Sequence, residues 1–368
     1  IDDQDNPSVA MDAAGNSVIV WRSYKQDGSF SGIYGQRYNA GGNPIGNEFQ
    51  VNQTTYLSQK MPSVAMDAMG NFVVVWASYD NGTDEGIWAR HYNANGQPTT
   101  GELPVNNITD GRQLNPKIAM NDNGDFVVGW ERWNHPTQNW RATARQFNAN
   151  GTPKGSEFDM TQLPHGHNPS VATNNSGDSV GAWMRSGDSD DLPLGYYIRT
   201  RRYNANGIPK ENACQITQDM GGNTDRTSIA MDGSGNYIVT WKNYGDSTSH
   251  AQRFDSNGNY ISEIILSYCD IDVAMDQNGL STLVWNSGDL MAQQYDSLGN
   301  PLGILNLHPG GGNDMVVAMA RDGSGRFIVA WEGGDADGLG VFATIVPEST
   351  TLSLLALGGL LIYRRRKY

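Results

Sequence analysis

Cysteine, histidine and basic side chains are scarce in this sequence. Two cysteines in 368 residues cannot supply a disulfide framework, so stability must come from buried apolar surface. Cys214 and Cys269 are free to pair, but their spacing does not require it. The six histidines, His91, His135, His165, His167, His250 and His308, form no zinc-like spacing, and His165-Gly-His167 reads as a polar loop. With 25 Lys and Arg against 39 Asp and Glu, the formal net charge is −14, which repels phosphate backbones and anionic lipid surfaces. Nucleic acid is therefore not an expected partner.

What is abundant is repetition. A segment reading PSVAMDAMGNFVVVW from Pro62 has relatives beginning at Pro7, Pro116, Pro169, Thr227, Ile271 and Met315. In register stand Trp21, Trp76, Trp130, Trp183, Trp241, Trp285 and Trp331, a spacing of 44 to 58 residues. Each copy places a β-rich run, an Asp/Asn-x-x-Gly turn and a second β-rich run in order, which is hairpin chemistry. A third run follows, as in IYGQRYNAGGNP from Ile33, and a fourth, as in EFQVN from Glu48. Four strands per repeat of about 50 residues is the spacing of propeller blades.

The expected fold is all-β: a seven-bladed β-propeller of four-stranded antiparallel blades over residues 1–346. The blades fall near 6–52, 61–106, 115–161, 168–217, 224–267, 270–307 and 313–346. The repeated tryptophans are expected to pack between blades, and Ala10, Ala65, Ala119, Ala172, Ala230, Ala274 and Ala318 to suit the crowded centre of the ring. The seventh copy ends its third run at VFATIVP, so the last blade is expected to lack a fourth strand. Either residues upstream of Ile1 complete it, or its edge is open to a strand from a neighbour.

After Pro347 the character changes. Thr350 to Tyr363 carries no charge and Arg364 to Lys367 is entirely basic, so 347–368 reads as a short hydrophobic helix with a cytoplasmic anchor of positive charge. Fourteen residues at ~1.5 Å each give a helix shorter than a bilayer core of ~30 Å, which favours a transient insertion over a permanent span.

Val346-Pro347-Glu348, the apolar stretch and the cluster Arg364, Arg365, Arg366 resemble the PEP-CTERM sorting signal of Gram-negative bacteria, with Ser349 in place of the second proline. That resemblance implies recognition by an exosortase-like enzyme and delivery to the cell surface or the extracellular matrix. The repeats are also similar to units of large bacterial surface proteins.

No catalytic pattern stands up at this level. Gly177-Asp-Ser-Val-Gly181 matches a nucleophile-elbow motif, but Ser179 falls in a strand after a hairpin turn, where no strand-to-helix elbow can form. The reading is therefore of a non-enzyme that binds polysaccharide or a surface partner, with a structural subunit and a polysaccharide-cleaving enzyme as alternatives.

In a propeller, the loops between second and third strands and those between blades share one face. There the sequence places Tyr24, Asp27, Tyr79, Asp80, Asp84, Trp133, Trp140, Asp188, Asp190, Asp191, Tyr244, Asp246, Asp289, Asp335 and Asp337. Aromatic rings stack on sugar faces and carboxylates accept from hydroxyls, so this set is the candidate ligand surface. No cofactor is expected. Calcium is left open, because SGDSDD from Ser186 and GGDADGLG from Gly333 carry oxygen donors without completing a calcium loop.

Overall fold

The computed structural model describes residues 3–79, 84–162, 164–187, 195–217, 226–267, 270–308, 315–322, 324–335, 338–346 and 360–361. It contains seven four-stranded antiparallel sheets, each built from consecutive strands. We label the strands of a blade a to d from the axis outward. Blade 1 is Gln4–Met11, Ser17–Tyr24, Ser31–Tyr38 and Pro44–Gln50. The a strands contact one another in a closed cycle, from blade 1 through blade 7 and back to blade 1.

Strand b explains why the ring forms. Its side chains alternate between faces, and a blade inside a propeller has neighbours on both, so the run is apolar throughout. In blade 1, Val18 and Val20 pack toward blade 2, while Ile19 and Trp21 pack toward blade 7. All seven tryptophans behave alike: each sits in the apolar cluster shared with the preceding blade, and Trp21, Trp76, Trp130 and Trp183 are fully buried. Packing between blades is thus their role, as the repeat register suggested.

The Asp-x-x-Gly turns are local. Asp12 Oδ1 accepts from the amides of Ala14 at 2.9 Å and Asn16 at 2.8 Å, while Gly15 takes φ 85°. Asp67, Asn121, Asn174, Asp232, Asp276 and Asp322 repeat the arrangement, which occupies the oxygens that a metal would otherwise use. Ser179 is buried at the start of strand b of blade 4 (Ser179–Ser186) and accepts from Gln146 Nε2 at 2.8 Å, a packing role.

Three expectations need correction. In the seventh copy the residue in register with Ala10 is Ala320: Ala10 pairs with Val18 and Ala320 with Ile328, whereas Ala318 lies two positions nearer the axial opening. The last blade is not left with three strands, because Leu360–Leu361 pairs with Thr344 and Ile345 as its strand d. A two-residue strand d also serves blades 2, 3 and 4, so the ground for assembly through a missing strand falls away. The expected C-terminal helix lies mostly outside the described residues, and its Leu360–Leu361 portion is extended. Among the described residues there is no helix long and apolar enough to cross a membrane.

The ring closes between blades 7 and 1 without a shared strand. Val9, Met11, Ile19, Trp21, Tyr34 and Tyr38 meet Ile328, Ala330, Val341 and Ala343. Burying a large apolar side chain contributes ~1.5–3 kcal/mol, so this cluster outweighs any single polar contact across the seam. One polar clamp still fixes its geometry. The chain bulges at Asn6-Pro7, Asn6 takes φ 52°, and its amide leaves the ladder to donate to Glu332 Oε1 at 2.6 Å. Asn tolerates this left-handed conformation, and Pro7 has no amide to strand. The same bulge recurs at Met61, Asn115 and Asn168, each followed by proline.

Burial pushes the Glu332 carboxyl above the ordinary range, against the pull of the Asn6 amide. A raised acid favours the folded state when protonated, so that stability is complete at acid pH and is lost as pH rises through the shifted value. Glu332→Gln keeps an oxygen for Asn6 without the charge. The melting temperature of the variant minus that of wild type should increase from mildly acidic to mildly alkaline buffer. A difference that does not change with pH would refute this role.

Candidate functional site

The a strands enclose an axial cavity of about 440 Å³ on the face where those strands begin. One repeat position, just after the bulge, supplies most of its chemistry. It is serine in four blades, Ser8, Ser63, Ser170 and Ser228, but Lys117 in blade 3, Asp272 in blade 6 and Ala318 in blade 7. The serines tie blades together: Ser8 Oγ accepts from Val64 N at 3.1 Å and Ser63 Oγ from Ile118 N at 3.3 Å. Asp272 accepts from Ser228 Oγ, from its own neighbour Val273 N at 2.9 Å, and across the seam from Met319 N at 3.1 Å.

Lys117 and Arg226 also line the cavity, so two cations share it with one carboxylate. Lys117 is exposed where it lines the cavity, yet the protein atoms around it desolvate the ammonium and lower its pKa. Arg226 lowers it further and Asp272 opposes both. Burial raises the pKa of Asp272, countered by Ser228, Val273, Lys117 and Met319. An acidic protein therefore holds a locally cationic, hydroxyl-lined pocket on its axis.

A second cavity, of about 390 Å³, opens at the seam between blades 3 and 4. Its walls are Asn115, Glu131, His167, Asn168, Met184, Ser186 and Tyr196. Asn115 and Asn168 also line the axial cavity, so the two adjoin. Glu131 follows Trp130 on strand b of blade 3 (Phe126–Asn134), and His167 lies on strand a of blade 4 (Gly166–Thr173). The expected polar loop at His165-Gly-His167 is thus a loop only at His165, where φ is 67°. His167 is drawn into the strand because the blade pairs it with Met184.

The expected aromatic and acidic ligand residues do not converge on these cavities. Arg22 covers the ring of Tyr24 at 4.6 Å, Lys60 that of Tyr79 at 5.3 Å and Lys242 that of Tyr244 at 5.4 Å. Asp27 accepts from Ser29 N and Gln50 Nε2, both at 3.0 Å. Asp246 holds Thr248 N at 3.0 Å, Asp289 holds Asn306 Nδ2 at 2.7 Å, and Asp84 lies 3.9 Å from His135. These carboxylates shape their own loops. Trp133 and Trp140 are opposite each other across strands b and c of blade 3, edge to face at 5.3 Å, and Trp140 lies 6.3 Å from the ring of His167. Neither lines the seam cavity, although Trp140 contacts its wall residue His167. Asp80, Asp188, Asp190, Asp191 and Asp337 lie outside the described residues, as does the side chain of Asp335, and these include every carboxylate of the two loops considered for calcium. Among the described residues no three His, Cys, Asp or Glu side chains cluster as a metal site. Cys214 is an exposed thiol, and Cys269 lies outside the described residues.

Lys117, Arg226, Asp272, Glu131 and His167 were not singled out as site residues from sequence, although a signal existed. Lys117 and Asp272 are breaks in a repeat position that is otherwise small.

No family profile matches the sequence, and no curated protein does. Solved structures do match, at the level of fold. A protein of unknown function from Dyadobacter fermentans DSM 18053 aligns with a TM-score of 0.56 at 10% identity, over 93% of this chain and 94% of that one. The polysaccharide lyase Uly1 aligns with a TM-score of 0.59 at 8% identity, over 92% and 89%. The Hadza microbial sialidase Hz136 aligns with a TM-score of 0.51 at 11% identity, over 84% and 73%. These likenesses show the propeller alone. They also correct the expectation of a non-enzyme: the same architecture carries a lyase and a sialidase, so the absence of a familiar motif was no ground for excluding catalysis.

The electrostatic coupling in the axial cavity can be tested directly. In Lys117→Met the carboxyl of Asp272 should titrate at higher pH than in wild type, because a cation that favours its charged form is gone. Carbon NMR of the Asp272 carboxyl reads this, and an unchanged midpoint would show that the two groups do not interact.

Proposed function

We propose that this protein acts on an acidic polysaccharide outside the cell, seating an anionic sugar at the axial cavity. The observation that carries the reading is the pair Lys117 and Arg226 beside a single carboxylate, Asp272, in a chain of net charge −14. Two cations lining a cavity that holds one carboxylate favour an anionic ligand. The serine hydroxyls and the amides of Asn6, Asn115 and Asn168 suit the hydroxyls of a sugar. Two proteins that share the fold are named as a polysaccharide lyase and a sialidase, which agrees with glycan chemistry on this scaffold.

The cellular setting belongs to the same proposal. The segment Val346-Pro347-Glu348 with the terminal arginines would direct the protein through an exosortase-like enzyme to the surface or matrix of a Gram-negative cell, after transient membrane insertion of its C-terminus. Val346 is buried in strand c of blade 7 (Gly338–Val346), so removal of the segment beyond Pro347 would keep Val346 in that apolar cluster while taking away the Leu360–Leu361 strand d.

Two measurements test the reading. Polygalacturonate should bind saturably and a neutral glucan should not, and Lys117→Met or Arg226→Met should each weaken binding about tenfold or more, as expected for a charge-assisted hydrogen bond of ~1.5–3 kcal/mol. Equal affinity for the neutral glucan, or no effect of either variant, would defeat it. Mass spectrometry of the C-terminal peptide from surface material should find no Arg364–Arg366 cluster. Surface protein ending at Tyr368 would refute the sorting step.

A further inference from the structure

The repeat provides its own control for the seam between blades 3 and 4. Glu332 follows Trp331 as Glu131 follows Trp130, and each takes the bulge amide of the next blade: Asn6 N at 2.6 Å and Asn168 N at 2.6 Å. At the seam between blades 7 and 1, the neighbouring pair on the next blade is Asp5 opposite Arg22, joined by a salt bridge with Nε to Oδ1 at 2.6 Å. At the seam between blades 3 and 4, the corresponding pair is His167 opposite Met184. A self-satisfied ion pair has been replaced by an imidazole and a thioether, and a cavity opens there.

Among the described residues, two groups that line that cavity, Glu131 and His167, have hydrogen-bonding capacity to spare. Glu131 is 5% exposed, and both its donors, Asn115 Nδ2 at 2.9 Å and Asn168 N, use Oε1, leaving Oε2 without a hydrogen bond. His167 makes a ring contact with Trp140 and no hydrogen bond. Burial favours the protonated acid at Glu131, countered by Asn115 and Asn168. Burial, aided by His165, lowers His167 to about 4, so the imidazole is neutral near pH 7 and has a lone pair available. An acid whose protonated form is favoured by burial and an imidazole with an available lone pair thus line one concave site.

We propose that this seam cavity is a catalytic site for β-elimination on an acidic polysaccharide, with His167 as base and Glu131 as acid. The inference rests on the acidic-sugar reading of the adjoining axial cavity. His167 removes the proton on the carbon bearing the sugar carboxylate, and that electron pair forms a carbon–carbon double bond. The glycosidic C–O bond at the β position breaks, and its oxygen takes the proton from Glu131. The products are an unsaturated uronate end and a new sugar hydroxyl, with no water, oxidant or reductant consumed. Proton exchange with solvent resets both residues. Lys117 and Arg226 would offset the charge that develops on the sugar carboxylate as the proton leaves.

The test incubates the full chain with polygalacturonate, alginate and hyaluronate, following absorbance of the conjugated unsaturated uronate, new reducing ends, and binding in the same samples. Unsaturated ends should appear in equal number with reducing ends on at least one polymer. His167→Ala and Glu131→Gln should each slow the reaction ~100-fold or more, the usual worth of a general acid or base, while binding changes by less than about twofold. Glu131→Gln keeps the oxygen that accepts from Asn115 and Asn168, and added imidazole should restore part of the rate in His167→Ala, so loss of fold is distinguishable from loss of chemistry. Binding without unsaturated product, reducing ends without absorbance, or a wild-type rate in His167→Ala would overturn elimination while leaving the acidic-sugar reading intact. Failure to bind any of the three polyanions would overturn both.

Discussion

Everything in this molecule depends on burying both faces of strand b. A four-stranded antiparallel sheet with two apolar faces is unstable alone, and the ring is the arrangement that covers both faces of every copy at once. The tryptophan at the end of strand b sets the seam: Trp21 reaches into blade 7 as Trp76 reaches into blade 1. Closure therefore needs no special device, because the seam between first and last blades has the same apolar composition as the interior ones. Polar contacts such as Asn6 to Glu332 and Arg326 Nη2 to Ala14 O, at 2.7 Å, refine the angle of a joint that apolar burial has already made.

Because seven seams are built alike, the few that differ carry the chemistry. A serine after the bulge bridges neighbouring blades at low cost. Replacing it with Lys117 or Asp272 places a charge in a confined space, where desolvation opposes ionisation. Replacing the Asp5–Arg22 pair with His167 and Met184 likewise gives up an ion pair and opens a cavity. Both departures cost stability locally, and the surrounding repeats are regular enough to bear it. Their shared walls, Asn115 and Asn168, are bulge residues whose left-handed backbone turns them out of the ladder.

The architecture was legible because it is written in short-range chemistry. The Asp-x-x-Gly turns, the period of the tryptophans and the continuous apolar runs of strand b each have one physical solution, and they agree with one another. Counting failed where the pattern slipped: in the seventh copy Ala318 was aligned in place of Ala320, since the strand carries alanine at both positions. The aromatic and acidic loop residues were sensible candidates by type, but type does not reveal that Lys60 already covers Tyr79 or that Asp27 already caps its own loop.

By itself the sequence determined the blade count, the strands of the first six blades, the turn chemistry and the role of the seven tryptophans, because these follow from residues near one another in the chain or from a strict repeat. Only the tertiary structure decided the site. Lys117, Arg226 and Asp272 belong to blades 3, 5 and 6, and Glu131 and His167 to two adjacent blades. Closing the ring brings residues more than one hundred positions apart to a single axis. It also surrounds them with protein, and the desolvation moves the pKa of a lysine and a histidine down and that of an aspartate and a glutamate up.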